Sequence, residues 1–176
     1  MKITKEWAMP HKNTFEIEPI RFFIEKHNQN KSVISIDPFA NKNRIAGITN
    51  DLNPEFDTDF NMDALKFLQM FPSDSVGLIF YDPPYSPRQV SECYKSLGMT
   101  VNMETTQASF WGSLKKEISR VCAFGGIVLS FGWNSNGIGM TNGFSQIEIL
   151  IVSHGGQHND TICTAEKKVI NQIRLF

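Results

Sequence analysis

Asp82, Pro83, Pro84 and Tyr85 follow directly on an apolar run, "VGLIFY" (76–81), and their order has chemical content. A carboxylate stands where a buried strand would leave its sheet. Two consecutive prolines then hold φ near about −65° and contribute no N–H donors, so the turn is stiff and its carbonyls point in a set direction. Tyr85 closes it with a flat ring carrying a hydroxyl, able to stack and to hydrogen bond. Fixed acceptors beside a stacking ring are equipment that a plain strand-ending turn does not need. Two further acids stand in comparable places: Asp37 after "SVISI" (32–36), and Asp51 at the end of "RIAGITND" (44–51). In open α/β sheets ligands bind beyond the carboxyl ends of the strands, at a switch point, so Asp37, Asp51 and Asp82 are expected to line one crevice.

The elements that must position these residues are legible from periodicity. The spacing of Ile20, Phe23 and Ile24 predicts a helix within 14–30, entered through Pro19. β-branched runs predict strands at 32–36 and 44–51, and a continuously apolar one at 76–82. Leu65, Leu68 and Phe71 predict a helix over 61–71 with Asn61 as its cap. Further helices are expected at 86–98 and 105–124, the second stopped by Gly125-Gly126, then a buried strand at 126–133. Strands at 145–156 and 161–169 close the chain as an antiparallel pair, with "HGGQH" (154–158) read as their hairpin loop. Strands alternating with helices and ending in a hairpin predict a doubly wound α/β fold, a mostly parallel sheet covered on both faces.

Bulk properties narrow the classes. The chain has 176 residues, 41% hydrophobic and 20% charged, with 14 Phe to fill a core. That suits one domain, 1–176, with no room for a separate target-recognition domain. Three widely spaced cysteines suggest neither a disulfide framework nor a zinc site, and no metal is expected. No segment is long and apolar enough to span a bilayer and the N-terminus lacks a leader pattern, so a cytoplasmic location is expected. The net charge of −1 does not by itself advertise nucleic-acid binding.

Asp82-Pro83-Pro84-Tyr85 resembles the DPPY motif of S-adenosylmethionine-dependent amino-group methyltransferases, above all the N6-adenine DNA methyltransferases of small phage or mobile-element type. The resemblance implies a Rossmann-like methyltransferase fold and a target adenine flipped out of double-stranded DNA. Asp82 and the Pro83 carbonyl would accept the N–H bonds of the exocyclic amine, and Tyr85 would stack on the base. "SIDPFAN" (35–41) resembles the family's cofactor motif; by that match Asp37 holds the amino group of the methionine moiety, with Pro38 and Phe39 against the cofactor. Asp51 would serve the ribose hydroxyls and Asp63, in "NMDALKFL" (61–68), the cofactor's adenine amino group. "NTFEIEPI" (13–20) resembles the N-terminal motif whose Thr14 and Phe15 lie near the methionine end.

The sequence departs from that pattern in one place. Pro38 to Asn43 carries no glycine, and the gap between the first two strands is too short for a crossover helix, which is expected to be missing or cut to a turn. Arg88, Gln89 and Lys95 on one helix, and Lys115, Lys116 and Arg120 on the next, are candidates for phosphate contacts. A second copy or a partner chain is the expected source of target recognition. Two alternatives stand beside the main reading: an RNA base amino-methyltransferase of the guanine-N2 type, and a non-catalytic interaction subunit.

Overall fold

The computed structural model describes residues 1–84, 86–96, 108–156 and 158–170. Among them seven strands form one sheet, in the order β1 (Lys2–Trp7), β6 (Phe144–Ser153), β7 (Thr161–Lys168), β5 (Cys122–Gly132), β4 (Val76–Tyr81), β2 (Ser35–Asp37) and β3 (Ile48–Thr49). β2, β3, β4 and β5 run parallel, and β7 inserts antiparallel between β5 and β6.

β4 reads as continuously apolar because both faces of the sheet are covered. Leu78 and Phe80 point into one layer with Phe15 and with Ile20, Phe23 and Ile24 of α1 (Glu18–His27). Ile79 and Tyr81 point into the other, with Phe67 and Leu68 of α2 (Ala64–Gln69) and Leu114 and Ile118 of the last helix, α4 (Ala108–Val121). One further helix among the described residues, α3 (Pro87–Ser96), follows the proline turn.

Several boundaries differ from the expectation, each for a local reason. The first helix starts at Glu18; Thr14–Glu16 forms a separate single turn, capped by the Asn13 side chain, which accepts the Phe15 N–H at 3.1 Å. α2 is capped by Asp63 rather than Asn61: the Asp63 carboxylate accepts the N–H groups of Leu65 and Lys66 at 3.0 and 3.2 Å. A charged acceptor at a helix N-terminus complements the helix dipole, which gives the carboxylate the stronger claim to the cap. Asn61 instead donates to the Asn53 carbonyl and the Thr58 hydroxyl, tying the preceding loop. α4 ends at Val121 and β5 begins at once, so Gly125-Gly126 lies inside the strand; Gly125 sits at φ +78 beside a register shift against β4. The glycines therefore mark an irregular strand start and not a helix stop. β1 was not expected: its side chains are nearly all exposed, so it carries no apolar signature.

No helix joins β2 to β3. The chain turns through Pro38–Asn43, held by the Ala40 N–H on the Asn50 carbonyl (2.9 Å) and the Asn43 N–H on the Ala40 carbonyl (2.8 Å). Asn41 takes φ 51, the left-handed conformation that a glycine would usually supply and that asparagine tolerates best among the other residues. Beyond β3 the sheet continues only as one bridge, Asn50 to Phe60. Among the described residues no helix is long and apolar enough to cross a membrane.

Candidate active site at the ends of the parallel strands

A cleft of about 480 Å³ opens at the carboxyl ends of β2, β3 and β4. Pro38 and Phe39 from the turn after β2, Asp51 after β3, Asp63 at the cap of α2 and Asp82-Pro83-Pro84 after β4 all line it. Thr14 and Gln89 reach it from the N-terminal segment and from α3. Residues far apart in sequence thus meet at one place, the end of a parallel sheet where ligands collect. Tyr85 lies outside the described residues.

The two remaining cofactor candidates are placed elsewhere. Asp37 is 1% exposed and does not line the cleft; its carboxylate accepts the Phe39 N–H at 2.9 Å from beneath. Burial pushes its carboxyl well above the usual carboxylate range, with the charges of Asp82 and Asp51 adding to the rise. Phe15 is a core residue, its ring centroid 4.7 Å from that of Phe131 and 6.0 Å from that of Phe80. It anchors the segment that carries Thr14 rather than facing a ligand.

Asp51 is half-buried and organises the helix-free turn: one carboxylate oxygen accepts the Asn41 N–H and the other the Asn53 N–H, both at 2.9 Å. Burial raises its carboxyl, against the pull of those amides. Phe39 is held edge-on to Tyr81, with ring centroids 6.0 Å apart. Asn13 donates to the Asn43 side chain at 2.7 Å, which locks the N-terminal segment to the turn.

Lys12, Phe56 and Phe110 also line the cleft, and none has a motif around it that would have singled it out. Trp111 was missed as well. From α4 its indole N–H donates to the Pro84 carbonyl at 3.3 Å, so a core-packed helix holds the proline turn. Among the described residues charge in the lining is lopsided: Asp51, Asp63, Asp82 and Glu92 against Lys12. Such a cleft favours a ligand carrying positive charge.

The basic candidates divide. Arg88 is exposed and pairs with Glu92 at 2.8 Å, and Lys95 is exposed on the same helix. Gln89 faces the cleft instead. Arg120 is structural: it pairs with Glu117 and donates to the carbonyls of Phe71 and Leu68, fastening α4 to the end of α2. Lys115 is partly buried, where burial lowers its ammonium below the usual range, and Lys116 is exposed.

Sheet order, helix placement and cleft position define a Rossmann-like methyltransferase fold, and solved structures agree. TrmN from Thermus thermophilus superposes with a TM-score of 0.58 at 14% identity, over 87% of this chain and 49% of that one. A Burkholderia thailandensis 1,6-didemethyltoxoflavin-N1-methyltransferase, solved with bound 1,6-didemethyltoxoflavin and S-adenosylhomocysteine, gives 0.57 at 10% identity, over 86% of this chain and 77% of that one. The protein yhhF from Escherichia coli gives 0.54 at 9% identity over 92% of both chains. The chain therefore spans about half the length of TrmN and nearly all of yhhF. No family model matches the sequence, and no curated protein matches it.

Proposed function

We propose that the chain transfers a methyl group from S-adenosylmethionine to the N6 amino group of adenine in DNA. The observation that carries this reading is that Asp82-Pro83-Pro84 shares one cleft with Asp51 and Asp63. The cleft's volume falls within the about 300–1,000 Å³ common to small-molecule sites, and its acidic lining suits a cofactor with a sulfonium and an ammonium group. When bound, that cofactor supplies an activated methyl group. The rest is positioning and charge complementarity by the chain itself.

Asp51 is assigned to the ribose hydroxyls and Asp63 to the adenine amino group of the cofactor. Pro38, Phe39 and Thr14 fall to the methionine end, with Asp37 acting through the Phe39 amide that it fixes. Asp82 and the Pro83 carbonyl accept the two N–H bonds of the target amine, which pulls the nitrogen toward a pyramidal shape and directs its lone pair at the methyl carbon. With the cofactor bound, its methyl group would pass to that nitrogen and leave S-adenosylhomocysteine, and Asp82 would stand where it could take the amine proton released. Tyr85 is assigned to stacking on the flipped base. Arg88 and Lys95 are assigned to phosphate contacts.

A labelled-methyl transfer assay offering DNA and RNA, followed by digestion to nucleosides, tests the reading. The expected result is label in N6-methyldeoxyadenosine. Label in N2-methylguanosine, or no transfer to either nucleic acid, overturns it. Titration with S-adenosylhomocysteine separates enzyme from interaction subunit, because only the enzyme should bind it saturably. A further expectation concerns Trp111. Trp111→Phe keeps a ring on α4 but removes the N–H that holds the Pro84 carbonyl; kcat should fall about tenfold with S-adenosylhomocysteine affinity unchanged. Equal losses in both would mean that the indole serves the whole cleft and not the turn.

A further inference from the structure

We propose that the protein forms a two-fold dimer through β1, joining two sheets edge to edge. Among the described residues β1 pairs with β6 on one side and ends the sheet on the other. An open strand edge presents main-chain donors and acceptors that pair readily with another strand. Large apolar side chains surround this one: Ile3, Trp7, Met9 and Phe22 are each more than half exposed, at 57, 62, 69 and 55%. The alternation along the strand puts Lys2, Thr4 and Glu6 on the α1 face, where they border a groove with Phe22, and Ile3, Lys5 and Trp7 on the other, with Trp7 at the strand's end also bordering that groove.

The strand's own sequence names the occupant. Two copies related by a two-fold axis normal to the sheet pair antiparallel, and residues that face each other must lie on the same face. With Thr4 opposite Thr4 of the second copy, Lys2 faces Glu6 and Glu6 faces Lys2 on the α1 side. Opposite-charge and threonine pairs are both favourable across strands. On the other side Met1 faces Trp7, and Ile3 faces the methylene stem of Lys5. Lysines on an edge ordinarily discourage pairing; in this register each meets a carboxylate or an apolar partner. Shifting the centre to Lys5 would set Lys5 against Lys5, and shifting it to Ile3 would set Lys2 against Thr4, losing both lysine–glutamate pairs. The segment "MKITKEW" (1–7) is thus complementary to itself in one register.

The pairing also fixes where the two clefts point. β1 runs in the same direction as β4, so antiparallel joining turns the clefts of the two copies to opposite ends of the continuous sheet. Each copy would then act on its own target. This dimer holds the chain together but does not complete the partner's cleft.

Light scattering on the size-exclusion peak at micromolar concentration should return twice the chain mass of 20.0 kDa. Glu6→Lys should weaken dimerisation at least about tenfold by setting lysine against lysine at both symmetric positions, and the swap Lys2→Glu with Glu6→Lys should restore it. Lys2→Glu alone is the less clean variant, since Lys2 also lies 3.9 Å from Glu148 within the chain. A monomeric wild-type protein overturns the proposal, as does a dimer indifferent to Glu6→Lys. The readout is independent of methyl transfer, so an inactive but dimeric protein would refute the proposed reaction and leave this interface standing.

Discussion

Replacing Asp82 with alanine is expected to lower methyl transfer by about 10³-fold while S-adenosylhomocysteine binds within a few-fold of the wild-type affinity. Asp82 stands at the end of β4, on a frame set by Pro83 and Pro84 and braced from α4 by the Trp111 indole. In the proposed reaction it is the charged acceptor for an amine whose lone pair is otherwise delocalised into a purine ring. A charge-assisted hydrogen bond is roughly twice as strong as a neutral one, and this one strengthens as the nitrogen gains positive charge. The cofactor's adenosine half, by contrast, is assigned to Asp51 and Asp63, which lie on separate elements and keep their own hydrogen bonds without Asp82. Asp82→Asn, which preserves shape and one carbonyl acceptor, should fall between the alanine variant and the wild type. Single-turnover rates beside calorimetric titration would check both. Loss of cofactor binding in Asp82→Ala would show that this carboxylate serves the cofactor's cation instead of the amine.

The second large effect lies away from the cleft. Gly137→Ala is expected to destabilise the fold by about 3 kcal/mol. Gly137 sits at φ +51 in the loop after β5, and a methyl group there would overlap the carboxylate of Glu166. Glu166 is fully buried on β7 and accepts the N–H groups of Ile138 and Gly139, at 2.5 and 3.0 Å, so it staples that loop to the sheet. Alanine would bring left-handed backbone strain and dislodge two hydrogen bonds to a buried acid together. Urea denaturation gives the measurement. A loss below about 1 kcal/mol would mean that the loop relaxes away and that Glu166 does not hold it in place.

The parts of the site readable in the sequence were those whose chemistry needs consecutive residues. A run of apolar residues ending in Asp-Pro-Pro identifies a buried strand and a rigid turn without any tertiary knowledge. Asp51 was readable because it marks the end of a strand, whereas Asp63 was singled out only by the family resemblance, its place at the helix cap having been given to Asn61. What escaped was set by packing across the chain. Trp111 reaches Pro84 only because α4 lies against the sheet, and nothing in the residues around Trp111 announces that contact. Asp37 was expected to face the crevice with the other two acids, yet the tight turn after β2 folds its carboxylate under the Phe39 amide. Phe15 illustrates the same limit: an aromatic beside a motif residue is drawn to the core whenever two other rings await it. β1 was missed because it is short, almost wholly exposed, and interrupts its one partly apolar face, Ile3 and Trp7, with Lys5, which leaves a pattern too weak to detect.

The helix-free passage from β2 to β3 also bears on the order in which the cleft forms. The Asp37 carboxylate accepts the Phe39 N–H and the Asp51 carboxylate those of Asn41 and Asn53, hydrogen bonds that span at most ten residues of chain. Loops of that length close in about 10–100 ns and at small entropic cost. The strand that supports Asp82 pairs with β5, a far more distant segment. The side of the cleft built by the turn after β2 and by Asp51 is therefore expected to nucleate early, with the proline turn arriving afterwards against a surface already in place.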